Sequence, residues 1–222
     1  MKYPDPAGTK LTNAIASYHG VSKERVFVGV GSDDVLAVAF MTFFNGEKPI
    51  LFPDITYSFY PVWAELFGIP YEKKPLDSQF QIVPKDYFGE NGGVVFPNPN
   101  APTGIYMPLE KVEEILKHNP DVVVIADEAY IDFGGESAKE LTGKYENLLV
   151  VQTYSKSRSM AGLRIGYAIG NQELIRAMND VKFSYNSYTM NEPSILMGAA
   201  VLEDAVSYTH LRANETAANL GC

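Results

Sequence analysis

Asp121-Val122-Val123-Val124-Ile125-Ala126-Asp127-Glu128-Ala129-Tyr130 passes from an unbroken apolar run into two acids and a tyrosine. The stretch from Val122 to Ala126 has the character of a central parallel strand buried on both faces. Its carboxyl end is where open α/β sheets place their ligands. Six more short strand candidates accompany it: Val26–Val30, Ile50–Phe52, Tyr71–Lys74, Gly93–Phe96, Leu148–Thr153 and Ile165–Ile169, with Val122–Ala126 completing the set. Between them, Asp33–Phe44, Tyr57–Phe67, Leu109–Leu116 and Gln172–Val181 carry helical spacing, and Gly68 is placed to stop the second. Ser194–Leu202 reads as a further helix. This alternation predicts a three-layer α/β/α sandwich around a mostly parallel sheet of about seven strands.

The 222 residues fit one large domain. Residues 1–205 are assigned to it. Beyond them the pattern is lost, and 206–222 resembles translated sequencing-adapter sequence, so it is read as a non-native tail. The opening Tyr3-Pro4-Asp5-Pro6 is turn-like with no element before it, which suggests a start partway through a longer protein. No apolar run reaches the roughly 18 residues of a membrane span, and no signal-type segment opens the chain, so a cytoplasmic protein with no membrane partner is expected. The single cysteine, Cys222, fits a reducing compartment. A net charge of −9 would repel a phosphate backbone, so nucleic acid is not an expected partner. His19, His118 and His210 are scattered without metal-ligand spacing; surface or capping roles are expected, and no metal site.

Three motifs carry chemistry. Lys156 follows a strand, in Thr153-Tyr154-Ser155-Lys156, with Arg164 eight positions on. Partial desolvation there would lower its pKa and make the amine nucleophilic, although an arbitrary lysine in a loop is usually solvated. Asp127 ends the buried strand, where an unpaired carboxylate is costly. It could hold a pyridine nitrogen protonated, cap a helix or bind Mg²⁺. Gly29-Val30-Gly31-Ser32-Asp33-Asp34 leads from a strand to a helix N-terminus whose amides can receive a phosphate. A dinucleotide fingerprint would need glycine where Asp34 stands.

Asn98-Pro99-Asn100-Ala101-Pro102-Thr103-Gly104, Asp127-Glu128-Ala129-Tyr130, Ser155-Lys156 and Ala161-Gly162-Leu163-Arg164-Ile165-Gly166-Tyr167 occur in the order seen in fold-type I pyridoxal-phosphate enzymes of aminotransferase class I/II. From Tyr3 to about Ala205 the chain resembles this family, and within it the histidinol-phosphate aminotransferases most. The resemblance implies pyridoxal 5'-phosphate as cofactor. Lys156 would be its Schiff-base lysine and the base that moves a proton between substrate and cofactor. It implies a phosphate site of Gly31, Ser32, Asp33, Thr153, Ser155 and Arg164, with Tyr57 stacked on the pyridine ring and Tyr130 on its phenolic oxygen. Tyr3 would reach the phosphate of a neighbouring subunit in a homodimer. Ala101 stands where many relatives have an asparagine bonded to the cofactor; Asn100, or Asn98, is the expected substitute. Arg158, unusual for the wider family, is either solvated or in contact with an anionic substrate group.

The implied reaction transfers an amino group between histidinol phosphate and 2-oxoglutarate, a small-molecule amino donor and a 2-oxo acid. Another aminotransferase, or a phosphothreonine-type decarboxylase on the same scaffold, would share these motifs. A non-catalytic domain is a further alternative, because the substrate-binding arginine expected from a C-terminal small domain, and an N-terminal closing segment, are not found in the sequence. A short-chain dehydrogenase would want tyrosine where Gln152 stands.

Overall fold

The structure is a computed structural model that describes residues 2–203; the tail assigned to 206–222 lies outside the described residues. Seven strands, β1 (Val26–Gly29), β2 (Ile50–Pro53), β3 (Tyr71–Lys74), β4 (Gly93–Pro97), β5 (Val124–Asp127), β6 (Leu148–Thr153) and β7 (Gly166–Gly170), form one sheet in the order β1-β7-β6-β5-β4-β2-β3. Only β7 runs against its neighbours, pairing antiparallel with both β1 and β6. Strand β5 lies in the middle, parallel to β4 and β6, and every one of its residues is buried. It starts two residues later than the apolar run suggests. Val122 belongs to the entry turn, where its carbonyl accepts a bond from the Asn147 side chain at 3.2 Å.

Six helices, α1 (Thr9–His19), α2 (Ser32–Phe43), α3 (Phe59–Phe67), α4 (Leu109–His118), α5 (Gln172–Tyr185) and α6 (Glu192–Glu203), cover the sheet. The expected helices fall in place, and Gly68 ends α3 in the left-handed conformation at φ 69°. Helix α1 is the element that the sequence pattern does not reveal, since Leu11 and Ile15 are the two large apolar side chains it turns inward. The turn-like Tyr3-Pro4-Asp5-Pro6 serves it, because the Asp5 carboxylate accepts the Ala7 and Thr9 amides at 3.1 and 2.8 Å.

Alternation along each strand divides the core. Phe27, Val95, Ile125, Val151 and Ala168 pack against α2, α3 and α5. Val94, Val124, Ala126 and Val150 meet α4, while Val26, Val28, Tyr167 and Ile169 meet α1 and α6 on the same side. Successive residues leaving β5 therefore serve different layers, which matters for Asp127 and Glu128. Among the described residues no helix is long and apolar enough to cross a membrane.

Candidate active site

The carboxyl ends of β4, β5 and β6 lie in register: Pro97 pairs with Asp127, Asp127 with Val151, and Thr153 with Gly166. Because β7 is antiparallel, it enters at that same edge and brings Arg164 just before it. The β1–α2 turn arrives there too, as Gly29 pairs with Gly166. Three segments far apart in sequence thus meet through sheet register alone.

The turn is built for close approach. A Cβ on Gly166 would lie 2.2 Å from the Gly31 carbonyl carbon and 2.3 Å from the Ser32 nitrogen, so backbone rests on backbone. Gly31 has φ +88°, and a Cβ there would come within 2.5 Å of Arg164 Nη2. Asp34, at the third fingerprint position, turns back to accept the Val30 amide at 2.8 Å. Gly31 offers α2 no side-chain cap, and Ser32 and Asp33 line a cleft beside Arg164. An uncapped helix N-terminus next to a guanidinium is an anion cradle. In the structure Arg164 meets the Asp33 carboxylate at 3.3 Å, both side chains being about half exposed; such a pair contributes about 0–1 kcal/mol and leaves the guanidinium available.

The cleft has a volume of about 130 Å³ and is lined by Ser32, Asp33, Tyr57, Asp127, Tyr130, Thr153, Ser155, Lys156 and Arg164, together with Ala101. Nine of the residues singled out from sequence thus share one cavity. A wider cavity of about 700 Å³ adjoins it, sharing Ala101, Tyr130 and Lys156 and adding Asn100, Tyr106, Phe133 and Gly134.

Asp127 is 5% exposed. Burial pushes its carboxyl up to about 6, against hydrogen bonds from Tyr60 and the Ala129 amide that pull it down; Asp33 raises it further and Lys156 lowers it. Tyr57 donates to Asp33 at 2.9 Å, and burial and that carboxylate hold its hydroxyl in the protonated form. Lys156 is exposed, contrary to the expected desolvation, because it stands in the turn after β6 at the junction of the two cavities. Its ammonium lies 4.9 Å from the centre of the Tyr130 ring.

Other residues are differently placed. Asn100 donates to the Ile55 carbonyl and Thr103 at 3.0 and 3.1 Å, and Asn98 exchanges two bonds with the Met107 backbone. Both asparagines tie loops together, and it is Ala101 that faces the cleft. Arg158 is neither solvated nor at the cavity: it is buried, its guanidinium 4.9 Å from the Tyr18 ring and 5.0 Å from the Tyr154 ring. Tyr3 is 82% exposed and packs on Tyr188 at 4.8 Å, outside the cleft of its own chain. His19, expected in a surface or capping role, ends α1 half-buried. It meets the Tyr167 hydroxyl at 2.8 Å, and burial with nearby cations lowers it to about 4.

One site residue escaped the sequence reading. Tyr60, fully buried, donates to Asp127 Oδ2 at 2.9 Å. Its signal was present, since a buried tyrosine needs a partner for its hydroxyl and Tyr60 stands three residues after Tyr57.

The arrangement suits a flat, phosphorylated, nitrogen-containing ring. An uncapped helix N-terminus beside Arg164, a buried carboxylate at Asp127, an aromatic ring at Tyr57 and an amine at Lys156 stand around one cleft.

The family model for aminotransferase class I and II matches residues 1–219. The histidinol-phosphate aminotransferase of Pseudomonas putida (strain KT2440) is 55% identical over 202 residues, which is 91% of this chain and 58% of that protein. The chain therefore spans a little over half the length of such relatives. The structure of histidinol-phosphate aminotransferase from Sinorhizobium meliloti in complex with pyridoxal-5'-phosphate superimposes with a TM-score of 0.87 at 21% identity, covering 96% of this chain and 59% of that one. That of L-threonine-O-3-phosphate decarboxylase from Porphyromonas gingivalis gives 0.80 at 20% identity, covering 94% and 62%. These two likenesses establish the fold.

Proposed function

The chain belongs to the class I and II aminotransferases, and from that premise we propose that it is the pyridoxal-phosphate-binding part of an enzyme that exchanges an amino group between histidinol phosphate and 2-oxoglutarate in histidine biosynthesis. The observation that carries this is the convergence of Lys156, Asp127, Tyr130, Ser32 and Arg164 on one cleft at the carboxyl edge of the sheet. When bound, the cofactor supplies an electron sink for the charge that develops at the substrate Cα.

The chain's own residues do the rest. Ser32 and Asp33 amides at the α2 N-terminus and the Arg164 guanidinium hold the phosphate, with the Thr153 and Ser155 hydroxyls beside them. The Asp127 carboxylate keeps the ring nitrogen protonated. Tyr57 covers one ring face, and Tyr130 bonds the phenolic oxygen. With alanine at position 101, more of that positioning falls to Tyr130. Lys156 Nζ would hold the cofactor and, once freed by substrate, would serve as the base that takes and holds the proton of the substrate Cα. The wide cavity next to Lys156 is the space for the substrate. Tyr3 serves a second copy of the chain, in a cytoplasmic homodimer.

A decarboxylase of phosphothreonine type shares the scaffold. The high identity to histidinol-phosphate aminotransferases, against a likeness in fold alone to the decarboxylase, favours transamination. Imidazole-acetol phosphate and glutamate are supplied to the full-length parent enzyme with pyridoxal phosphate, and histidinol phosphate is measured. Its formation is expected; a parent that binds the cofactor yet forms none contradicts the substrate assignment.

A further inference from the structure

We propose that Tyr60 is a positioning residue that keeps Asp127 ionised and aimed into the cleft, and so sets the proton on the cofactor's ring nitrogen. The inference rests on the cofactor reading above and assigns to the site a residue that does not line it.

The geometry is one-sided. Asp127 has two oxygens: Oδ1 accepts the Ala129 amide at 3.2 Å, and Oδ2 accepts the Tyr60 hydroxyl at 2.9 Å. The second bond is the shorter, and it comes from a side chain whose orientation is fixed. Tyr60 lies in the first turn of α3, enclosed by Phe40, Phe52, Tyr57 and Trp63 at ring-centre distances of 6.3, 5.8, 5.8 and 6.4 Å. Burial and the Asp127 charge hold the Tyr60 hydroxyl well above its ordinary pKa, so it remains a donor at every working pH.

The electrostatics explain why a donor is needed there. Asp127 is desolvated, and from α2 the Asp33 carboxylate opposes its ionisation. Lys156, on the turn after β6, favours the charged form from across the cleft, and Tyr57 on the approach to α3, Tyr130 after β5 and Arg164 before β7 are further titratable or charged groups lining the cleft with it. Without the Tyr60 bond, desolvation and Asp33 would weigh more heavily, and a larger share of Asp127 would be neutral near pH 7. A neutral acid cannot hold a pyridine nitrogen protonated. Tyr57 and Tyr60 share one end of α3 and touch edge to face at 79°. A single helix end thereby sets both the ring face and the charge behind the ring nitrogen.

The test has two arms on the 222-residue chain. In the first, without cofactor, the Asp127 carboxyl is titrated by carbon NMR with labelled aspartate, the signal being assigned by its loss in Asp127→Asn. Wild type should titrate near 6, and Tyr60→Phe about one pH unit higher, the worth of one hydrogen bond to a charged group. Tyr71→Phe, which removes an exposed bond to Glu65, should leave it unmoved. In the second arm pyridoxal phosphate is added, and the pH dependence of the visible band of the lysine-linked cofactor is followed. Tyr60→Phe should shift that profile and weaken binding about tenfold, with melting temperature recorded to show that the fold is kept. Identical Asp127 titration in wild type and Tyr60→Phe overturns the proposal. A wild-type chain without the band overturns the cofactor reading and with it the role of Tyr60, whatever the first arm shows.

Discussion

Asp127 and Glu128 are neighbours in the chain and opposites in the fold. Both are buried acids pushed up by desolvation, Asp127 to about 6 and Glu128 to about 7. Asp127 turns towards α3 and the cleft, with two donors and an open side. Glu128 turns to the other layer, where Ser137 Oγ donates at 2.6 Å, the Ala138 amide at 2.6 Å and Gln152 Nε2 at 2.8 Å. Gln152 in turn accepts from Tyr167, whose hydroxyl meets His19. One acid is enclosed by a network that spends its bonding capacity; the other keeps some for a ligand. A raised pKa alone does not identify a functional acid: what separates the two is whether the group's remaining bonding capacity faces a cavity.

The largest effect that could break this contrast is on stability. Glu128→Ala takes the acceptor from the Ser137 hydroxyl and the Ala138 amide and one of two acceptors from Gln152 Nε2, and should cost about 3 kcal/mol or more at pH 5, measured by urea unfolding. A loss below about 1 kcal/mol would make the network incidental.

The pH dependence sharpens it. Between 4.5 and about 7 folded Glu128 keeps a proton that the unfolded chain has released. Stability from this group is therefore present at low pH and lost as pH rises through that window, by roughly 3 kcal/mol in all. Glu128→Gln should abolish that loss, seen as the difference between the two unfolding curves across pH. His19 contributes with the opposite sign: its folded pKa of about 4 makes stability fall as pH drops below 6.5.

Asp127→Asn should behave otherwise. It removes a desolvated charge while still accepting from Tyr60, so stability should stay within about 1 kcal/mol of wild type or rise. Affinity for pyridoxal phosphate should fall about tenfold or more, the worth of a charged hydrogen bond. Calorimetric unfolding and a spectroscopic titration on the same samples separate the two effects. The smallest change is expected from Tyr167→Phe, about 1 kcal/mol of stability with cofactor affinity unaltered.

The sheet was legible in the sequence because a buried parallel strand must be largely apolar, and β5 is until it reaches Asp127 at its carboxyl end. Lys156, Asp127, Tyr130 and Arg164 were legible because each stands in a local motif at a strand end. What escaped depends on contacts between distant segments. No local pattern ties Tyr60 to Asp127, sets Gly166 against Gly31, or links His19 through Tyr167 and Gln152 to Glu128. Helix α1 escaped because its inward face carries only two large apolar side chains, Leu11 and Ile15, in an otherwise polar or small-residue stretch. The desolvation expected of Lys156 failed for a related reason: a motif fixes a residue's place along the chain, while exposure depends on what the rest of the fold packs over it.

The central claim is that the cleft beside Asp127 binds pyridoxal phosphate through Lys156. The direct measurement is to mix the chain with pyridoxal phosphate, reduce with borohydride, and locate the adduct by peptide mass mapping. One adduct per chain on Lys156, with none in Lys156→Ala, is the predicted result; adducts scattered over surface lysines, or a Lys156→Ala chain labelled as well as wild type, would contradict it.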